Sequence, residues 1–171
     1  MIEQLGLTIL LELMLEPYLQ CVLGAEMYPD WPEVDYWPLE ALKAQAVAAR
    51  SYAIWRIEHP RNEYFHLYGD ARDQGFDCTR RHPKSDRAVL ETQGEVIVSP
   101  EANFVARYVN RCGQKHCPVC HGENGYDNRT WEGRLCQFGT KALADRGLTY
   151  VEILQYYYGS EITVRRYDDI S

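Results

Sequence analysis

Between Cys112 and Gly122 the chain reads CGQKHCPVCHG. Cys117 and Cys120 stand in C-x-x-C spacing, which lets two thiolates reach one tetrahedral ion. Cys112 lies five residues before this pair, and His116 and His121 flank it. That gives five donors where a tetrahedral site takes four. The preferred set is Cys112, His116, Cys117 and Cys120 holding a structural zinc, closed to substrate; His121 is the other candidate for the nitrogen ligand, and Cys136 stands outside as a further thiol. The competing chemistry is a redox C-x-x-C, which needs neither a third cysteine nor adjacent histidines. The bunching of the six cysteines points to metal ligation rather than a disulfide ladder.

The second chemical signal is a single carboxylate. Glu26 follows Leu23, Gly24 and Ala25 and precedes Met27 and Tyr28. An acid among apolar groups is held toward its protonated form and can donate a proton near neutral pH. The plainer reading is a surface glutamate at a helix end. Asp30, Glu33, Asp35 and Glu40 lie nearby, as second carboxylates for a two-acid glycosidase or as a solvated acidic loop. Farther on, Arg80, Arg81, His82, Lys84 and Arg87 could rim a groove for an anionic polymer, though such runs are usually solvated. Asn128-Arg129-Thr130 matches a glycosylation sequon, a frequent accident.

The elements that must position these groups are readable in outline. Leu42, Ala46, Ala49, Ala53 and Ile57 form the apolar stripe of an amphipathic helix over 38–58, with Pro38 suited to its first turn and Pro60 beyond its end. Lys43 and Arg50, seven apart, share one face about 10 Å apart along the axis. A first strand or helix is expected over 5–14 and a short helix over 16–23, followed by an aromatic and acidic loop over 27–38. Residues 60–86 read as irregular, and 86–92 as a short helix. Residues 95–99 and 103–110 read as a strand pair turning at Pro100. Helices are expected over 137–146 and 150–157, and a strand over 162–167. The fold class is α+β: a single domain over 1–171 with one long central helix, short antiparallel strands and a zinc-bound loop.

The 171 residues suffice for one domain with a real core, and the 46% hydrophobic and 25% charged content is ordinary. A net charge of −7 argues against a general nucleic-acid binder. Thirteen tyrosines and four tryptophans can pack a core or stack on sugar faces. No run reaches the roughly 18 apolar residues needed to span a bilayer. The stretch 5–15 contains Glu12 and follows Glu3 rather than basic residues, and makes a poor leader.

Four segments in order, GAEMYPDWP, PLEALKAQAVAARSYA, AVLETQGEVI and LCQFGTKALADRGLTYVEILQYYYGSEI, resemble the stage II sporulation protein D domain, which amidase-enhancer proteins share. The resemblance covers residues 16–164 and is strongest over 16–58 and 136–164. It implies a peptidoglycan lytic transglycosylase, a lyase cutting the bond between N-acetylmuramic acid and N-acetylglucosamine in peptide-stripped glycan strands and leaving an anhydro-muramic end. It places the catalytic glutamate at Glu26, the substrate-binding lysine and arginine at Lys43 and Arg50, and a glutamine at Gln137. It also implies zinc in the Cys112–His121 region and an extracytoplasmic, cell-wall location. The implied partners are glycan strands and, in the alternative of a non-catalytic wall-binding module, a cell-wall amidase. The chain departs from the family pattern in three places. VNRCGQKHC stands where the family has a serine-glycine segment, and TWEGRLCQ stands for its G-H-G-x-G-M-S-Q, with Trp131, Arg134 and Cys136 as the changed residues. Residues 30–37 lengthen the loop before the long helix, and its Trp31, Tyr36 and Trp37 read either as a lid that stacks on sugar or as packing.

Overall fold

The computed structural model describes residues 10–27, 37–121 and 132–170. Five α-helices and four short strands follow in the order α1 (Leu15–Glu26), α2 (Leu39–Glu58), α3 (Pro83–Glu91), β1 (Glu95–Val98), β2 (Tyr108–Val109), β3 (Leu135–Cys136), α4 (Gln137–Asp145), α5 (Tyr150–Tyr158) and β4 (Thr163–Arg166). Single turns of 3-10 helix sit at Cys78–Arg80 and Tyr167–Asp169. This is the mixed helix and small-sheet architecture expected of an α+β chain.

The expected apolar stripe of α2 is buried at Leu42, Ala46, Ala49 and Ala53, but Ile57 is 49% exposed and the other faces are buried as well. From Ala41 to Ala53 only Lys43 and Ser51 retain partial exposure. The reason is that α2 is contacted by α1, α3, α4, α5 and β1, and its alanines let those elements come close. Ala44, Val47 and Ala48 join Ile153, Leu154, Leu135 and the four cysteines Cys112, Cys117, Cys120 and Cys136 in one apolar cluster. Leu42, Ala46 and Ala49 join Leu19, Leu23, Trp37 and Val89 in a second. Full burial of each leucine contributes roughly 1.5–3 kcal/mol.

Local signals set the shorter helices. His82 caps α3 by accepting from the Lys84 amide, with Pro83 in the first turn. Thr149 and Glu152 form a reciprocal capping box on α5, and Gly159, at φ 102°, ends it. The strands depart from expectation. β1 pairs antiparallel with β4, Glu95 opposite Arg166 and Val98 opposite Thr163, rather than with residues 103–110. β2 instead pairs parallel with β3, Tyr108 opposite Leu135. Both partners are distant in sequence, and a turn signal at Pro100 carries no information about either. Residues 10–14 form neither helix nor strand; the rest of the expected first element lies outside the described residues.

Candidate functional site

Glu26 is the last residue of α1, where the helix dipole presents its negative end and disfavours a carboxylate. Two donors hold the side chain. The Gly75 amide donates to Oε1, and the Gln137 side-chain amide donates to Oε2 at 3.3 Å. Burial pushes the Glu26 carboxyl above its ordinary range, and the bonds from Gly75 and Gln137 offset part of that shift. Gln137, 4% exposed, opens α4 and so brings a second, distant part of the chain to the acid.

The Gly75 amide is delivered by a segment fixed on both flanks. On one flank, the buried Asp73 carboxylate accepts from the Tyr52 hydroxyl at 2.6 Å, Arg56 at 2.9 Å, Arg61 at 2.7 Å and the Tyr68 amide at 2.8 Å. Burial opposes its charge, yet Arg61, Tyr52, Tyr68 and Arg56 together hold the Asp73 carboxyl below the usual range. On the other flank, Cys21 of α1 is disulfide-bonded to Cys78, and the Asp77 amide donates to the Cys21 carbonyl at 3.5 Å. Gly24 permits this approach: a Cβ there would lie 2.5 Å from the Arg80 carbonyl oxygen. A Cβ on Gly75 would lie 3.2 Å from Glu26 Oε1, so a bare backbone best suits that position as well.

Tyr18 and Tyr108 sit close enough to Glu26 to feel its charge. Burial first, then Glu26, raises both phenols far above their ordinary range, so both stay neutral donors. Tyr18 also stacks on Phe76, ring centroids 5.6 Å apart.

The two cations of α2 do share a face, but that face meets α3. Lys43 pairs with Glu91 at 2.8 Å and Glu40 at 3.1 Å. Burial lowers the Lys43 ammonium, but hydrogen bonds and charge from Glu91 and Glu40 outweigh it and raise it overall. Arg50 is fully buried. It binds Glu16 through two bonds of 2.8 and 2.7 Å and also donates to the carbonyls of Glu95 at 3.1 Å and Val89 at 3.2 Å. Of the substrate-binding set, then, Gln137 contacts Glu26, while Lys43 and Arg50 are engaged with other acids. Glu40, a candidate second carboxylate, holds Lys43 and accepts from the Tyr150 amide at the start of α5; Asp30, Glu33 and Asp35 lie outside the described residues.

Trp37 is 2% exposed and packs against α1 and α2, so this member of the expected sugar-stacking loop serves as core; Trp31 and Tyr36 lie outside the described residues. In the basic run, Arg80 pairs with Asp77, Arg81 with Asp86 and Arg87 with Glu91, as the solvated-loop reading expects. The sequon at 128–130 is outside the described residues. An open cavity of about 410 Å³ bordered by Glu95, Tyr150, Arg165 and Arg166 does not include Glu26. The site is picked out by chemistry rather than by cavity size.

The cysteine cluster is far from the acid in sequence but adjoins its donor, since Cys136 immediately precedes Gln137. Sγ atoms of Cys112, Cys117, Cys120 and Cys136 all lie within 4.8 Å of one another, and all four residues are buried. Three of the four expected ligands are thus together. In place of His116 the structure brings in Cys136, its sulfur 3.8 Å from that of Cys120. His116 is exposed, its ring 5.5 Å from that of Tyr156 and its carbonyl accepting from the Tyr156 hydroxyl. His121 is exposed too, with φ 48°.

A tetrahedral site with bonds of about 2.3 Å to sulfur has sulfur–sulfur edges of about 3.8 Å. The Cys112–Cys120 separation of 4.0 Å and the Cys120–Cys136 separation of 3.8 Å match those edges. Backbone amides also point at the sulfurs: Gln114 to Cys112 at 3.5 Å and Gly139 to Cys136 at 3.3 Å. Bonds from the Cys112 and Cys136 thiols pull Cys117 well below the ordinary thiol range, while its bond to Cys117 pushes Cys112 up to about 12. The bonds among the thiols favour ionisation at Cys117, and a cation is what would let all four ionise. The donor set fits a structural metal. Cys136 is the N-cap of α4 and immediately precedes Gln137, so the cluster anchors the helix that carries a ligand of Glu26.

Sequence reasoning missed Gly75, Gln74, Tyr18 and Tyr108, which lie in stretches without a distinctive pattern. It also left Cys21 and Cys78 unassigned, although setting aside the cysteine-rich cluster and Cys136 leaves this pair for each other.

The acid, its two donors and the thiol cluster define a domain with one candidate catalytic carboxylate and a separate buried four-thiol cluster compatible with a metal. The family model for the Stage II sporulation protein matches residues 3–98, more than half of the chain, and the chain belongs to that family. Membership supports a cell-wall related role in a sporulation or wall context and is consistent with a hydrolytic or lytic enzyme of the wall. An uncharacterized protein of Brachyspira hyodysenteriae is 51% identical over 105 residues, 60% of this chain. The matched region spans 27% of that relative's own length. Among the described residues no helix is long and apolar enough to cross a membrane.

Proposed function

We propose that this domain is a lytic transglycosylase of peptidoglycan, acting on peptide-stripped glycan strands with Glu26 as its one acid and base. The observation that carries this reading is the pair of donors on a largely buried carboxyl. Oε1 is committed to the Gly75 amide, a backbone donor that cannot turn into an acceptor, so the acidic hydrogen belongs on Oε2. The Gln137 bond to Oε2 is long, 3.3 Å, and strengthens once that oxygen becomes anionic.

Protonated Glu26 gives its hydrogen to the glycosidic oxygen as the bond from that oxygen to the muramic C1 breaks. The muramic 6-hydroxyl then attacks C1 and yields its proton to Glu26. The result is a 1,6-anhydro ring, and the acid is restored. The nucleophile comes from the substrate, so no second carboxylate is required, in contrast to ordinary glycosidases. Gly75 and Gln137 stabilise the carboxylate formed midway, while Tyr18 and Tyr108 supply neutral walls.

A zinc ion held by Cys112, Cys117, Cys120 and Cys136 would supply cross-linking of the fold, not chemistry on the sugar, since four protein sulfurs leave no open position. The Cys21–Cys78 disulfide supports an extracytoplasmic site of action. There, a bound metal would also keep four adjacent thiols from oxidising.

The test is product analysis. Wild-type protein on denuded strands should yield muramic ends lighter by one water than reducing ends, with no label taken from oxygen-18 water. Labelled reducing ends would mark a hydrolase. Binding without cleavage would mark a non-catalytic wall module that assists a partner amidase.

A further inference from the structure

Residues 74–77 belong to no helix or strand, yet Gln74 is fully buried. Its side-chain amide ties three elements together. Nε2 donates to the Ala49 carbonyl of α2 at 3.0 Å and to the Tyr108 hydroxyl of β2 at 3.0 Å. Its Oε1 accepts from the Tyr18 hydroxyl of α1 at 2.9 Å. Both amide hydrogens and the carbonyl are thereby used, an unusually complete set for a neutral side chain in an irregular segment. The next backbone N–H in the chain is that of Gly75, the donor to Glu26 Oε1.

We propose that Gln74 is a positioning residue for Glu26: its three-point tether fixes the peptide plane that presents the Gly75 N–H to Oε1, and so selects Oε2 as the oxygen that carries the acidic hydrogen. This inference rests on the reading of Glu26 as the acid. Its physical basis is that an untethered peptide can rotate its N–H away. Glycine at 75 offers no side chain to resist such rotation, and the next hold on that side is the network at Asp73, one residue before Gln74. The groups facing Glu26 are Tyr18 from α1, Tyr108 from β2, Gln137 from α4 and the Gly75 amide. Asp73, whose charge also reaches Tyr18, is matched by Arg56 and Arg61. In the acid-to-neutral range the titration of this site is therefore that of Glu26 itself.

The experiment is a carbon-13 titration of protein labelled at glutamate side-chain carboxyls, with the Glu26 signal assigned by its loss in Glu26→Gln. Gln74→Met keeps the length and removes all three tethers. Freed from its N–H donor, the Glu26 carboxylate should be less stabilised, and its midpoint should rise by about one pH unit, a tenfold gain in proton affinity. Tyr18→Phe cuts a single tether, guards against a variant that does not fold, and should move the midpoint the same way by less. A purely structural glutamine would lower stability and leave the midpoint of the folded protein unchanged. An unchanged midpoint in folded Gln74→Met, or in Tyr18→Phe if the former does not fold, overturns the proposal. The underlying reading fails differently: wild-type Glu26 would titrate like an exposed carboxylate and Glu26→Gln would remain active.

Discussion

Arg50 shows how burial changes the meaning of a conspicuous residue. By resemblance it is a substrate-binding cation; in the fold it has no exposed surface and forms a two-bond pair with Glu16. Arg50→Met removes the cation and leaves Glu16 with the Gly94 amide at 3.2 Å. The carbonyls of Val89 and Glu95 lose a donor as well. Breaking one side of a buried pair costs about 3–5 kcal/mol, a large fraction of the roughly 5–15 kcal/mol that holds a domain folded. At about 2–4 °C per kcal/mol for a chain of this size, the melting temperature should fall by about 6–20 °C. Glu16→Gln leaves the fully buried Arg50 cation unneutralised and should also destabilise, though the glutamine oxygen keeps one acceptor for it. A urea-denaturation double-mutant cycle on the two positions should return a coupling of about 0.5–3 kcal/mol. The reasoning is refuted if Arg50→Met keeps wild-type stability and loses only glycan binding.

Other consequences follow from the same geometry. Glu26 has a raised pKa in the folded state, so the folded protein holds its proton more tightly than the unfolded chain. Charging it therefore costs stability as pH rises from the unfolded value of about 4.3, a cost complete above the folded pKa. Glu26→Gln should melt higher than wild type at neutral pH, with the advantage vanishing below about pH 4, as melting scans across pH would show. Gly139→Ala places a Cβ 1.9 Å from the Tyr157 hydroxyl and 2.9 Å from Cys117 Sγ. Although alanine favours a helix by about 1 kcal/mol, the clash should win. Elemental analysis should find metal content reduced, and stability should drop by about 1–3 kcal/mol. Replacing both Cys21 and Cys78 by alanine opens a link across 57 residues and should cost up to about 4 kcal/mol in reversible denaturation.

The helices were legible because their signals are local. Pro38, the apolar stripe through Ala46, Ala49 and Ala53, and Pro60 bracket α2. The strands were not, because β1 finds its partner at Thr163–Arg166 and β2 pairs over only two residues; a ladder set by tertiary packing leaves no periodicity to read. The acid was visible from its apolar neighbours, and Gln137 through resemblance. The donor that matters beside it, Gly75, is a backbone N–H in an irregular stretch and has no signature in residue type. The thiol cluster was three-quarters legible from spacing. Cys136 completes it because the parallel β2–β3 pairing sets the start of α4 beside Cys120, a closeness that sequence distance conceals. Lys43 and Arg50 were read correctly as sharing a face, but not for what that face meets, since their partners on α3 and at Glu16 are fixed by packing.

The proposed mechanism requires that the hydrogen on Glu26 break the glycan. Folded Glu26→Gln, checked by its melting curve, should bind denuded strands and release no anhydro-muramic ends where wild type releases them in abundance. Release of those ends at the wild-type rate by that variant would contradict it.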